Sequence, residues 1–175
     1  LQSYQLTVSF KNDKTTALIH ANRLLTDGFR NNSGLEQNLF NLKIKHKLNP
    51  SSKIQFQMNF TDSPRAEDAG GITLEDSEED RSQARQRNLD YDTYESINHF
   101  KIGLNWDKSW TDKIILSSYG FYSFRDFYGK LPFENGGIID LTRNYFGLGS
   151  RLNYKIGKND LQVAAELLDQ SDQRD

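Results

Sequence analysis

The chain contains 175 residues and carries a formal net charge of -2, which gives no support for a nucleic-acid partner. It has no cysteine, so disulfide scaffolds and cysteine-based zinc sites are excluded. Only 35% of the residues are hydrophobic, and the mean hydropathy of -0.76 is low for a packed globular core. This composition suits β-strands whose two faces meet different surroundings.

Eight candidate strands follow one another along the chain, separated by turn signals. They are predicted at residues 4–11, 15–26, 38–48, 54–60, 97–106, 113–127, 145–156 and 161–168. The third is the clearest, because Phe40, Leu42 and Ile44 alternate with Lys43 and Lys45. Since successive side chains of a strand point to opposite faces, the pattern predicts an all-β antiparallel sheet with one apolar and one polar face.

The connections between these strands alternate in length. Tight turns are predicted at residues 12–14, 49–52, 108–111 and 157–160, and longer loops at 27–34, 62–88 and 128–141. An up-and-down sheet with short connections at one end is typical of transmembrane β-barrels, which have short periplasmic turns and long extracellular loops. With no second layer to cover the apolar face, lipid is the expected partner of that face.

Two architectures remain open for such a sheet. Eight strands close a small barrel, either membrane-embedded or lipocalin-like with an apolar interior. Several of the predicted strands, however, are longer than the ~9–11 residues that span a bilayer. That length favours a segment of a larger barrel.

The longest loop contains a helix signal. Thr73 and Asp76 have capping-box spacing, and the run of acids that follows precedes Arg81 and Arg85, so one to three helical turns are predicted over residues 74–85. A solvated surface helix is the favoured interpretation of this charged run. Contact with a ligand or lipopolysaccharide, or a divalent-cation site, is the alternative.

The residues of this loop and its flanking strands resemble the siderophore-type TonB-dependent outer-membrane receptors of Gram-negative bacteria. The resemblance is carried by TDSPRAEDAGGITLEDSEEDRSQARQRN at 61–88, ALIHANRLLTDGFRNNSG at 17–34 and FKIGLNWDKSWTDKIILSSYGFYSFRDF at 100–127. One departure is Ala69-Gly70, where the family commonly has Pro-Gly.

This resemblance implies that residues 1–175 are part of one receptor β-barrel domain of 22 strands, located in the outer membrane. The implied function is energy-coupled uptake of a scarce nutrient, most often a ferric siderophore, with periplasmic TonB, outer-membrane lipid and lipopolysaccharide as partners. The plug domain and the TonB box are not found in these residues. No cofactor is implied.

Ligand-binding candidates are sought at strand ends and loops, because arginine and aromatic groups commonly hold anionic iron chelates. The candidates are Arg30, Arg65, Arg125, Tyr128 and Phe133, with packing at the rim as the alternative role. Lys43, Lys45 and Lys47 are expected to face inward as an electropositive row, or to pair with plug carboxylates or water.

No catalytic function is predicted. The sequence has no recognisable phosphate-binding loop, nucleophile elbow or Ser/His/Asp set. His20, His46 and His99 fall on separate strands, so no metal site is predicted either.

Overall fold

The computed structural model describes residues 1–135 and 137–174. They form one eight-stranded antiparallel sheet in which every strand pairs with its neighbours in chain order. The strands are β1 Gln2–Lys11, β2 Thr15–Thr26, β3 Leu35–Asn49, β4 Ser52–Glu67, β5 Tyr94–Thr111, β6 Ile114–Lys130, β7 Ile138–Ile156 and β8 Asn159–Arg174. The predicted all-β up-and-down fold is confirmed.

The alternation of short and long connections is also confirmed. Residues 12–14, 50–51, 112–113 and 157–158 make tight connections at one end of the sheet, which we call the turn end. The loops 27–34, 68–93 and 131–137 lie at the other end, which we call the loop end. Loop 68–93 contains two short helices, α1 Leu74–Glu79 and α2 Gln86–Asp90.

Several strands are longer than predicted. Residues 62–67 belong to β4, residues 108–111 to β5, and residues 128–130 and 138–141 to β6 and β7, although all were predicted as turn or loop. The first error has a clear cause, because Pro64 was taken to end the strand. The sheet absorbs this proline at a β-bulge between Ser63 and Ala66, beyond which pairing resumes with Glu95 and Tyr94.

The strand register sorts the side chains onto two different faces. On one face, Phe40, Phe60, Phe100 and Phe124 lie side by side across four strands. The neighbouring rows of that apolar face include Leu42, Met58 and Ile102. The opposite, polar face carries Lys43 beside Gln57, and Lys45 beside Gln55, as the alternation predicted.

The polar face is concave. One hollow of about 1370 Å³ at the turn end is bordered by residues of all eight strands, from Lys11 in β1 to Glu166 in β8. The sheet therefore curls around its polar face and presents the apolar face on the convex side. Within the described residues β1 and β8 pair only with β2 and β7, so the sheet is open.

The convex face has no second layer among the described residues. Leu6, Leu104, Leu148, Val163 and Leu167 are each about half exposed, at 60%, 47%, 55%, 57% and 59%. The buried apolar core is correspondingly small and consists of Ala69 and Ala84 in the long loop. No helix in the described part of the chain is long and apolar enough to cross a membrane.

Candidate functional site

The long loop 68–93 is folded against the shorter loop 27–34. Arg30 makes most of the connection, since its guanidinium donates from Nε to the Gln83 carbonyl at 2.9 Å, from Nη1 to Gly70 at 2.7 Å and from Nη2 to Ala69 at 3.3 Å. The Asn31 amide adds a bond to the Ser82 carbonyl at 2.7 Å. Two loops far apart in sequence are thereby joined at the loop end.

Buried polar side chains hold loop 68–93 together from within. Asn88 and Thr93 are 1% and 0% exposed. The Asn88 amide donates to the Asp68 carboxylate at 2.9 Å and to the Thr93 hydroxyl at 3.0 Å, while Thr93 donates to the Asp68 carbonyl at 2.8 Å. Asn32 donates across from the other loop to that same carbonyl at 2.8 Å. These bonds tie Asp68, Asn88 and Thr93 to Asn32 of the other loop, while the buried Oδ1 of Asn88 has no partner among the described residues.

Of the helix predicted over residues 74–85, Leu74–Glu79 is confirmed; residues 80–85 are not helical, and helix resumes only at α2. Thr73 accepts a hydrogen bond from the Asp76 amide, and the Asp76 side chain accepts one from the Thr73 amide, so the capping box is complete. Just beyond the helix, Asp80 accepts hydrogen bonds from the Ser82 hydroxyl and the Ser82 amide, which lower the pKa of Asp80. Among the described residues, no group of three or more acidic or histidine side chains is arranged to hold a metal ion.

Arg65 lies at the loop end of β4 and organises an aromatic stack. Its guanidinium sits 4.5 Å from the centre of the Tyr94 ring, and that ring is 5.6 Å from Tyr128. Arg65 also pairs with Asp92 and with Glu67, and these two hydrogen-bonded acids raise its pKa. Strand register puts Arg65 and Tyr128 on the apolar side of the sheet, beyond the phenylalanine row.

Arg125 faces the other way. In the register it lies opposite His99, on the polar face, with its guanidinium 5.9 Å from the Phe127 ring. The His99 ring bonds the Ser123 hydroxyl at 3.0 Å, and Lys101 Nζ lies 5.5 Å from the Phe121 ring. Three basic side chains therefore meet on one part of the concave wall.

The structure does not bring the five predicted site residues together. Arg30 joins two loops, Arg65 and Tyr128 share the convex side through Tyr94, and Arg125 lies on the concave side. Phe133, 52% exposed in loop 131–137, is 5.9 Å from the Arg87 guanidinium. A ligand role for each of the five remains a prediction.

His99 and Lys101 were not predicted as neighbours of Arg125, although all three are odd-numbered in β5 and β6 and those odd positions face the polar side. The aromatic patch on the same wall was not predicted either; in it, Phe121 lies 6.3 Å from Tyr119 and 5.0 Å from Tyr145. That patch depends on Gly147 and Gly149, over which the rings of Phe121 and Tyr119 lie.

No protein-family model matches the chain. Among solved structures it is similar to the crystal structure of the ferric citrate transporter FecA in its unliganded form, with a TM-score of 0.79 and 19% sequence identity. The match covers 98% of this chain and 26% of FecA, so the chain spans about a quarter of that protein's length. The likeness concerns the fold: the eight-stranded sheet matches a segment of the FecA barrel.

Proposed function

We propose that this chain is a wall segment of a TonB-dependent receptor in the bacterial outer membrane, a protein that imports a ferric chelate of the siderophore type. The observation that carries the proposal is the uncovered apolar band on the convex side of a curled sheet whose concave side is polar. A soluble sheet hides its apolar face under a second layer. In a membrane barrel, lipid takes the place of that layer.

The height of the band fits a bilayer. On β6 the convex face from Ile114 to Phe124 spans about 34 Å of strand, which a tilt of roughly 40° reduces to about 26 Å. Its side chains are apolar or aromatic except Ser118, whose hydroxyl is hydrogen-bonded to that of Ser150 at 2.7 Å. Outer-membrane barrels carry an apolar band about 25 Å tall. The band is continuous at Gly120, because the Leu148 side chain lies over that glycine.

Over β7 and β8 the band is also oblique to the strands, as tilted strands in a barrel require. From β3 to β6 its edge at the loop end is level and runs through Phe40, Phe60, Phe100 and Phe124. On β7 the edge is at Phe146, one row nearer the turn end, and on β8 it is at Leu167, one row nearer again. A band level with the membrane plane has this slope only if the strands lean.

Polar side chains begin immediately beyond this edge. The next row on the convex side consists of Arg23, Asn38, Asp62, Asn98, Asp126 and Thr142. Arg23 reaches further and pairs with Glu36 at 2.8 Å. In the proposed orientation this row and the Arg65 stack lie at the level of the lipopolysaccharide headgroups.

The lipocalin-like alternative requires an apolar interior, whereas the concave face of this sheet carries lysines, glutamines and asparagines. The likeness to a ferric citrate transporter supports uptake of a ferric chelate. On this proposal TonB acts through a plug that lies outside residues 1–175. The ferric siderophore or a related chelate enters from the loop end, past Arg30, Phe133 and, on the concave wall, Arg125, whereas Arg65 and Tyr128 lie on the convex side.

The proposal is tested on the full-length protein that carries this chain, in its source cells. Membranes are separated on a density gradient and probed with an antibody against loop 68–93, and iron-limited cells are assayed for uptake of radioactive iron as its citrate and hydroxamate chelates. We expect the protein in the outer-membrane fraction and uptake that stops when either the receptor or TonB is deleted. A soluble protein contradicts the barrel; an outer-membrane protein with unchanged iron uptake contradicts only the substrate.

A further inference from the structure

We propose that Lys108, oriented by Ser51, binds the phosphate group of an anionic phospholipid at the turn end of the convex face. The inference rests on the proposed function in one respect, that the convex face meets lipid. It goes further by naming a lipid ligand and the residue that holds it, and it does not depend on what the protein transports.

Lys108 interrupts a convex band that otherwise carries no charge. Between the edge of the band at the loop end and the turn end, the convex positions of the described strands hold no other lysine or arginine and no aspartate or glutamate. The register fixes the face of Lys108, because it pairs with Ser52 on β4 and with Leu116 on β6, in the row next to Trp106. An ionised side chain on a lipid-facing wall is costly unless a group of opposite charge joins it.

No carboxylate of the described residues supplies that charge. Lys108 takes part in none of the ion pairs of the described chain. Its neighbour Asp107 lies on the concave side and pairs with Lys53 at 3.4 Å. Asp112, in the tight connection after β5, makes no ion pair with Lys108 either. The anion that joins Lys108 therefore comes from outside the described sheet.

The ammonium group is held at the end of the band rather than within it. Its Nζ donates to Ser51 Oγ at 2.8 Å, in the tight connection between β3 and β4. The Ser51 hydroxyl itself donates to Asn49 Oδ1 at 3.0 Å, which leaves its oxygen free to accept from Lys108. The side chain thus extends along the apolar surface toward the turn end, as lysines at a membrane surface do. An ammonium has three donors, so two remain for a phosphate group.

Two tryptophans mark the same level. Trp106 and Trp110 flank Lys108 in β5 and are 37% and 57% exposed, and the Trp106 indole donates to Ser52 Oγ at 2.9 Å. Tryptophan is enriched where a membrane meets water, at the level of the lipid headgroups. A lipid phosphate lies at that level, and an anionic headgroup such as phosphatidylglycerol keeps its negative charge available to a lysine.

Photocross-linking tests the site on the purified, delipidated full-length protein in detergent. A photoactivatable phosphatidylglycerol is titrated in, and cross-links in the peptides that contain residues 51 and 108 are quantified by mass spectrometry. We expect saturable cross-linking that needs about tenfold more lipid in K108Q, because this variant loses a charged hydrogen-bond donor to phosphate. K108R keeps the charge and should lose less. K113Q is the matched control, since it removes one positive charge from the tight connection 112–113, and it should behave as the unsubstituted protein does.

Three results overturn the proposal. Equal titrations of K108Q and K113Q place the lipid elsewhere. Equal saturation by a photoactivatable phosphatidylcholine, whose headgroup carries its own cation, means that the site does not select an anionic lipid. Displacement by soluble glycerol phosphate means that the ligand is a free phosphate ester and not a lipid. Iron uptake decides the proposed transport function separately, because an outer-membrane protein that imports no iron still holds this lipid, and an iron importer whose K108Q variant binds lipid unchanged contradicts only this site.

Discussion

Arg30 joins loops 27–34 and 68–93 through three carbonyl acceptors. Replacing it by lysine keeps the charge but removes the fork that reaches all three, so about two hydrogen bonds are lost, worth roughly 1–3 kcal/mol together. We expect hydrogen exchange of the Arg85 amide, which bonds the Ala69 carbonyl at 2.8 Å, to quicken about tenfold or more. The control is Arg23→Lys, whose pair with Glu36 lies outside both loops. Equal exchange in the two variants contradicts the joining role.

Gly70 and Gly71 test the loop as a pair, because a side chain is excluded at Gly70 and has free space at its neighbour Gly71. Gly70 has a φ of +64°, and a Cβ there would strike the buried Asn88 amide, whereas a Cβ at Gly71 would meet nothing within 4 Å. We expect Gly70→Ala to destabilise loop 68–93 by about 1–2 kcal/mol or more and Gly71→Ala to leave it nearly unchanged. Tryptic cleavage after Arg81 and Arg85 measures the difference. Similar cleavage of both variants means that the loop is not held as described.

A single strand tests which face meets lipid. On β4, Phe56 lies on the convex face and Gln57 on the concave face, one residue apart. Phe56→Lys is expected to cost roughly 2–4 kcal/mol if the site is at mid-membrane, while Gln57→Lys adds the same charge to the polar wall at little cost. The free energy of unfolding of each full-length variant is measured by denaturant titration after the protein has folded into lipid vesicles, and the two values are compared. Equal stability of the two variants excludes a lipid-facing Phe56.

The number of strands, their order and their two faces were predictable from sequence, because period-two alternation depends only on neighbouring residues. Strand length was not, since Pro64 looks like a strand end and only the pairing of Glu95 and Tyr94 with residues beyond the bulge shows otherwise. Because of the same bulge, the alternation of residues along β4 does not predict on which face of the sheet Arg65 lies. On β4 the even-numbered Phe60 and Asp62 lie on the convex face, yet odd-numbered Arg65 joins them there after the bulge.

The loop-end site was predictable only in part. The capping box of Thr73 and Asp76 is local, and its prediction is confirmed. The bond from Arg30 to the Gln83 carbonyl spans 53 positions, and nothing in the sequence near Arg30 indicates it. Long-range contacts of this kind follow from the strand pairing that brings the two loops together.

At the scale of the whole molecule, the curvature of the sheet decides which of its faces meets water in a membrane. Residues 1–175 contain no cysteine, so a cysteine introduced at one position at a time reports on each face, with the unsubstituted protein as the labelling background. Leu104 lies on the convex face, and its neighbour Asn105 borders the concave hollow at the turn end. In outer-membrane vesicles made permeable to small solutes, a charged maleimide should label Asn105→Cys and leave Leu104→Cys unmodified, because a thiol surrounded by lipid stays protonated and out of reach of a charged reagent. Both positions should react after the vesicles are dissolved in denaturant. Labelling of Leu104→Cys in the intact vesicles would mean that the convex band faces water, and with it the membrane-wall proposal fails even if the eight-stranded fold is correct.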